Sequence, residues 1–248
     1  MTHEEILDQL EDGTVRSATP TENGWEANTE VKKAILGAFK NGTNAAYEGI
    51  YEGFVDKHNL SPRYFEPEDG VRLVPGGSSV RRGAYVASGV IIMPPAYVNV
   101  GAYVDEGSMV DSHALVGSCA QIGKNVHLSA GVQIGGVLEP IGMSPVIIED
   151  DCFIGAGAVI VEGILVRSRA VIAPGVTLSK SIPVYDAVNE VIRERGAEIP
   201  EGAVVIPGTR PMKSEWAQQE GLSMACPIIV KYRDADSDAS LELEDALR

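Results

Sequence analysis

Cysteine is scarce: the 248 residues hold only Cys119, Cys152 and Cys226, with no CxxC spacing. That excludes a disulfide framework and a CxxC zinc site, and makes a reducing compartment the simpler expectation. Histidine is rare too. His113 and His127 fall within the repeats described below and His3 and His58 outside them, so a three-histidine metal centre is not expected. No stretch reaches the ~20 apolar residues that cross a bilayer. The opening MTHEEILDQLED is acidic and lacks the apolar core of a secretory leader, which points to the cytoplasm. Basic residues are outnumbered, 20 Lys and Arg against 35 Asp and Glu, for a net charge of −15. Nucleic acid would need a basic face to displace counterions, so the charge argues against it as a partner. A small anion needs only a few local cations, and Arg72, Arg81, Arg82 and Lys124 lie within or just before the repeats. The glycine-rich VPGGSSV lacks the GK[ST] ending of a phosphate loop.

What is abundant is a period of six. From Val80 the chain reads VRRGAY, VASGVI, IMPPAY, VNVGAY, VDEGSM, VDSHAL, VGSCAQ, IGKNVH, LSAGVQ and IGGVLE. Pro140 to Ile147 interrupt the register, which resumes as IEDDCF, IGAGAV, IVEGIL, VRSRAV, IAPGVT and LSKSIP. Every first position is Ile, Val or Leu, and every fifth is small or a modest aliphatic. A period of six fits neither a helix nor simple strand alternation, so the natural geometry is a coil of three short flat sides. Glycine recurs at the fourth position, joined there by Asn125 and Asp151, residues that tolerate the positive φ of a tight corner. Three hexads per turn give about five stacked coils, and the interruption must leave the prism as a loop, the usual place for ligand contacts.

The expected organisation is mainly β: a left-handed parallel β-helix over 80–183 with a loop at 140–147, a small α-rich module at 1–79 and a C-terminal cap with an acidic tail at 184–248. TEVKKAILGAF reads as a helix ending near Asn41-Gly42. Val204–Ile206 and MACPIIVKY read as strands that cap the open end of the prism. The tail DADSDASLELEDALR reads as a solvated segment.

Prisms of this kind serve mostly acyltransferases, but also γ-class carbonic anhydrases and nucleotide-exchange-factor subunits, so the architecture alone sets no function. The segment from MPPAYVNVGAYVDEGSM through VDSHALVGSCAQIGKNVHLSAGVQIGGVLEP, with IIEDDCFIGAGAVIVEG after the loop, is more specific. With Trp25, VKKAIL, RYF and VRLVP, it resembles the tetrahydrodipicolinate N-succinyltransferases of the diaminopimelate route to lysine. The resemblance covers about three-quarters of the chain. It implies succinyl transfer from succinyl-CoA to the amine of L-2-amino-6-oxopimelate, a homotrimer with sites between adjacent prisms, and no metal or redox cofactor.

By the same resemblance Asp111 matches the catalytic aspartate. A fixed carboxylate can take the proton that an ammonium must lose before it attacks a thioester; an outward aspartate in a solvated row is the alternative. Arg72 aligns with a substrate-binding arginine, and its guanidinium suits a dicarboxylate fork to fork; a surface salt bridge is the alternative. CoA should bond to backbone where side chains are small, which singles out Ala156 and Ala173, with Lys180 for the phosphates; repeat packing and a solvated lysine are the alternatives. Lys124 has Glu106 one coil back, and an ion pair accounts for it.

The chain also departs from the family. Gly157, Ala158 and Val159 stand where an Arg-Ser-Glu triplet is usual, so the assisting glutamate is missing, with Glu162 or Glu139 as possible substitutes. Ser112-His113 replaces Thr-Trp, and His113 becomes a candidate at the same groove. IGAGAVIVEG leans towards the related N-acetyltransferases, so acetyl-CoA as donor, or a relative serving a specialised pathway such as tabtoxin synthesis, stays open. A non-catalytic β-helix scaffold is the remote alternative.

Overall fold

In the computed structural model the described residues are 2–22 and 24–233; the acidic tail lies outside them. The repeats form a three-sided prism of two-residue strands. The first face stacks Ser79–Val80, Tyr97–Val98, Leu115–Val116, Gln133–Ile134, Val159–Ile160 and Thr177–Leu178. The second stacks Tyr85–Val86, Tyr103–Val104, Gln121–Ile122, Ile147–Ile148 and Leu165–Val166. The third runs from Arg72–Leu73 through Ile91–Ile92, Met109–Val110, His127–Leu128 and Phe153–Ile154 to Val171–Ile172. All these pairings are parallel, each strand one coil from the next.

Each strand straddles two hexads, the sixth residue outward and the first inward. All sixteen first-position aliphatics are buried, and buried fifth-position residues from Ala84 to Val176 pack among them in one continuous core. Where a fifth residue is polar it is satisfied: buried Ser108 donates to the Gly123 carbonyl and accepts from the Val126 amide. The fourth positions turn the corners. Besides the glycines, Asn125 and Asp151, the left-handed conformation is held by His113 (φ 62°), Cys119 (φ 67°) and Arg169 (φ 61°). An L side chain there costs about 1–2 kcal/mol, which the ladders on both sides of each corner offset.

The ladder differs from the hexad reading at two points. It reaches back to Arg72–Leu73, which pairs with Ile91–Ile92. It is also restored early after the loop: the Val146 carbonyl accepts from Gln121 and Ile147 pairs with Gln121. Val137 is still bonded to Ser118, so the residues outside the ladder are 138–145. A hexad phase set by inward aliphatics does not see that each strand begins one residue earlier.

Helix α1 (His3–Glu11) starts at a capping box between Thr2 and Glu5. Helix α2 (Thr29–Asn41) is capped by Asn28 and ends at Gly42, as its periodicity predicts. Their apolar faces, including Leu7, Leu10, Val31 and Ile35, bury Val100 and Cys119 of the prism. Charge fixes the docking: Arg82 binds Glu4 and Asp8, and Arg81 binds Asp56. Trp25 donates to Glu149, while the Arg16 guanidinium lies 3.6 Å over the Tyr103 ring. Buried Lys32 donates to the carbonyl of Met143 in the loop, and burial lowers its pKa.

At the other end, Ala203–Pro211 continues the third face in parallel with Val171–Ile172 and forms an antiparallel hairpin with Ser223–Tyr232. These are the two strands expected near Val204–Ile206 and MACPIIVKY, and they pair with the last strand of the third face. A short helix, Glu215–Gln219, sits between them. Among the described residues no helix is long and apolar enough to cross a membrane.

Candidate active site along one edge of the prism

Asp111 follows the inward Val110 and so points outward, at the edge where the third face turns into the first. Backbone bonds define its column. The Asp111 amide donates to Leu128, Ser129 to Ile154, Gly155 to Ile172 and Ala173 to Val205. Asp111, Ser129, Gly155 and Ala173 are therefore successive rungs of one edge. The next column of the same edge holds Ser112, Ala130, Ala156 and Pro174: the amides of Gly131, Gly157 and Gly175 donate to Ser112, Ala130 and Ala156. Two residues read as CoA contacts, Ala156 and Ala173, thus lie on the edge that carries Asp111. At about 4.8 Å per rung, Ala173 is about 14 Å from Asp111.

Beyond Asp111 the side chains along this strip are hydroxyl, methyl or absent, apart from the ring of Pro174. At Gly155 a Cβ would stand 2.5 Å from the Pro174 nitrogen, so only glycine fits. Ser129 and Gly155 are edge residues that motif reading passed over; adding one coil to Asp111, and then one coil plus the loop, finds both.

Asp111 is half-buried. Its Oδ1 accepts from the Ser112 amide at 2.6 Å, and among the described residues it has no cationic partner. Met93 and Ser129 are its neighbours one coil away, by the register of Met109 with Ile91 and His127. His113, exposed, takes the left-handed corner beside it, its amide donating to Pro95 at 2.6 Å. His127 sits further along the third face, edge-on to Phe153 at 5.1 Å.

Arg72 stands on the third face two rungs before the Asp111 strand, about 10 Å along the prism. Of the four cations first singled out, Arg81 is paired with Asp56, Arg82 with Glu4 and Asp8, and Lys124 with Glu106 at 2.6 Å. Arg72 alone is exposed with no carboxylate partner among the described residues. Asp111 and Arg72 thus present opposite charges, both unspent, on the same face.

Lys180 is not brought to this edge. It lies where the first face turns into the second, its amide donating to Glu162 at 2.8 Å. Of the two considered as substitutes for the missing glutamate, Glu162 belongs to that same second corner and Glu139 to the loop 138–145 that leaves the prism there. Val159 is outward on the first face, between Gln133 and Thr177. The reason is arithmetic: the hexad of Lys180 follows the one containing Ala173 by a single step, which rotates it onto the next face.

Two family models match the chain: "Tetrahydrodipicolinate N-succinyltransferase N-terminal" over residues 2–40 and "Hexapeptide repeat of succinyl-transferase" over 145–180. Among relatives, a 2,3,4,5-tetrahydropyridine-2,6-dicarboxylate N-succinyltransferase of Bordetella petrii is 46% identical over 252 residues, covering 99% of this chain and 88% of its own length. Its namesake from Acinetobacter baylyi is 46% identical over 253 residues with the same coverage. A crystal structure of a 2,3,4,5-tetrahydropyridine-2-carboxylate N-succinyltransferase from Campylobacter jejuni superposes with a TM-score of 0.58 at 20% identity. It matches 92% of this chain, which spans 63% of that one. That likeness carries the fold, the left-handed parallel β-helix of hexapeptide repeats. With identity of this order over nearly its whole length, the chain belongs to the tetrahydrodipicolinate N-succinyltransferase family.

Proposed function

We propose that the protein is a CoA-dependent N-acyltransferase that moves the succinyl group of succinyl-CoA onto the amine of L-2-amino-6-oxopimelate, the opened form of tetrahydrodipicolinate, in the diaminopimelate route to lysine. The observation that carries the reading is a succession along the prism: an arginine with no carboxylate partner among the described residues on the third face, an aspartate with no cationic partner two rungs on at its edge, and a strip of small residues beyond that aspartate. Arg72 holds a carboxylate of the acceptor by a two-pronged hydrogen bond. Asp111 takes the proton of the acceptor's ammonium. The freed amine attacks the thioester carbonyl, the C–N bond forms and the C–S bond breaks. The departing thiolate takes the proton held by Asp111 and the new amide nitrogen sheds its second proton to solvent, so Asp111 ends as it began and one proton is released. Ala156 and Ala173 leave the backbone open to the pantetheine arm.

Lys180 and Glu162 at the second corner, with Glu139 in the loop beside it, complete this edge only from a neighbouring copy. That is the role we assign to a homotrimer, with Lys180 meeting CoA phosphate across the interface. The enzyme works in the cytoplasm, and succinyl-CoA is a co-substrate rather than a resident cofactor. Release of free thiol tests the reading: it should require both succinyl-CoA and an amino-dicarboxylate such as 2-aminopimelate. Equal or faster release from acetyl-CoA would transfer the assignment to the acetyl branch.

A further inference from the structure

The edge that begins at Asp111 does not end at Ala173. Ile172 pairs with Val205, so the strand Ala203–Pro211 supplies the next rung, with Ile206 and Pro207 following Ala173 and Pro174. Four rungs separate Asp111 from Ile206, about 19 Å, comparable with the reach of an extended pantetheine arm. Beyond Pro207 the strand does not turn the corner. It continues past Gly175–Thr177 to Pro211, paired with Ser223–Tyr232 through Arg210 and Met224.

On this arm Arg210 has its Nε buried with no hydrogen-bond partner among the described residues. It lines a cavity of about 400 Å³ against the turn 185–192, with Tyr185, Val191, Ile192 and Ile228 as apolar walls. Two acids face the same cavity. Asp186 is already engaged, accepting from Tyr232 at 2.7 Å and from Asn189; Glu190 is exposed. The arginine is thus a guanidinium with unused donors beside an apolar slot, at the end of the strip on which an acyl carrier would lie.

We propose that Arg210 binds a phosphate of the nucleotide end of acyl-CoA, with the adenine ring against the walls at Tyr185 and Ile192. This rests on the acyl-CoA reading above and adds a residue to it. A planar fork of N–H donors matches phosphate oxygens, and an aromatic or aliphatic wall suits a flat base.

The test is calorimetric binding of CoA, which requires no turnover. Arg210→Ala should weaken CoA about tenfold or more, the loss expected for a hydrogen bond to a charged group. Arg210→Lys, which keeps the charge without the fork, should fall between. Both variants should bind 4′-phosphopantetheine, which lacks the nucleotide, as the wild type does. Equal CoA affinity in wild type and Arg210→Ala overturns the proposal, as does an equal loss for 4′-phosphopantetheine. Wild type that binds CoA but releases no thiol from any acyl-CoA would defeat the functional reading and leave Arg210 standing.

Discussion

Asp111 and Ala173 stand on one edge of the prism three rungs apart, with only Ser129 and Gly155 between them. In the proposed function, backbone registry therefore sets the spacing between the reacting carboxylate and the carrier's path.

Arg72 stands two rungs before the Asp111 strand, and the proposed function gives it the acceptor's carboxylate. Arg72→Ala should raise KM for 2-aminopimelate by about tenfold or more, the scale of a lost charge-assisted pair, and leave KM for succinyl-CoA unchanged. A rise in the CoA term alone, in steady-state kinetics with each substrate varied, would move Arg72 out of the acceptor site.

Two glycines separate packing from strain. Gly155→Ala puts a Cβ into the Pro174 backbone and should cost about 1–3 kcal/mol as overpacking, with a raised KM for succinyl-CoA. Gly89→Ala, at a corner with φ 81° and only ordinary contact at 3.6 Å, should cost about 1–2 kcal/mol from the left-handed conformation and leave KM alone. Urea titration with kinetics on the same samples checks both.

How much of this was legible in the sequence follows from what a hexad encodes. First-position aliphatics from Val80 to Leu178 give the prism, and counting by coils from Asp111 gives Ser129, Gly155 and Ala173. The same count places Lys180 on another corner, which residue type alone conceals. His113, Cys119 and Arg169 take positive φ because of where they stand in the repeat, not because of their intrinsic preference. The arm carrying Arg210 was legible only as strand, since its departure from the corner depends on pairing with Ser223–Tyr232.

Buried Lys32 has its pKa lowered by desolvation. Between that lowered value and its ordinary one near 10.5 the unfolded chain binds more protons than the folded one, so stability rises with pH across the window. Lys32→Met should lose that rising component. Parallel stability-pH curves for the two proteins would show that the Lys32 contact with Met143 carries no such linkage.

Cys119, Cys152 and Cys226 are all buried, and burial pushes the Cys152 thiol up to about 12. Native protein should therefore give no rapid reaction with a disulfide thiol reagent at pH 8, and three thiols after denaturation. The folded state keeps its Cys152 proton while the unfolded chain loses it from about pH 9, so this group subtracts stability as pH rises from 9 towards 12. A fast-reacting native thiol would contradict the packing at these sites.

In the proposed function Asp111 handles the proton in an acceptor-dependent succinyl transfer. Thiol release from succinyl-CoA with 2-aminopimelate, comparing wild type with Asp111→Asn, tests it most directly. Asparagine can still accept the Ser112 amide, so the fold should hold while kcat drops by about two orders of magnitude or more. Near-wild-type turnover in a folded Asp111→Asn protein would contradict it.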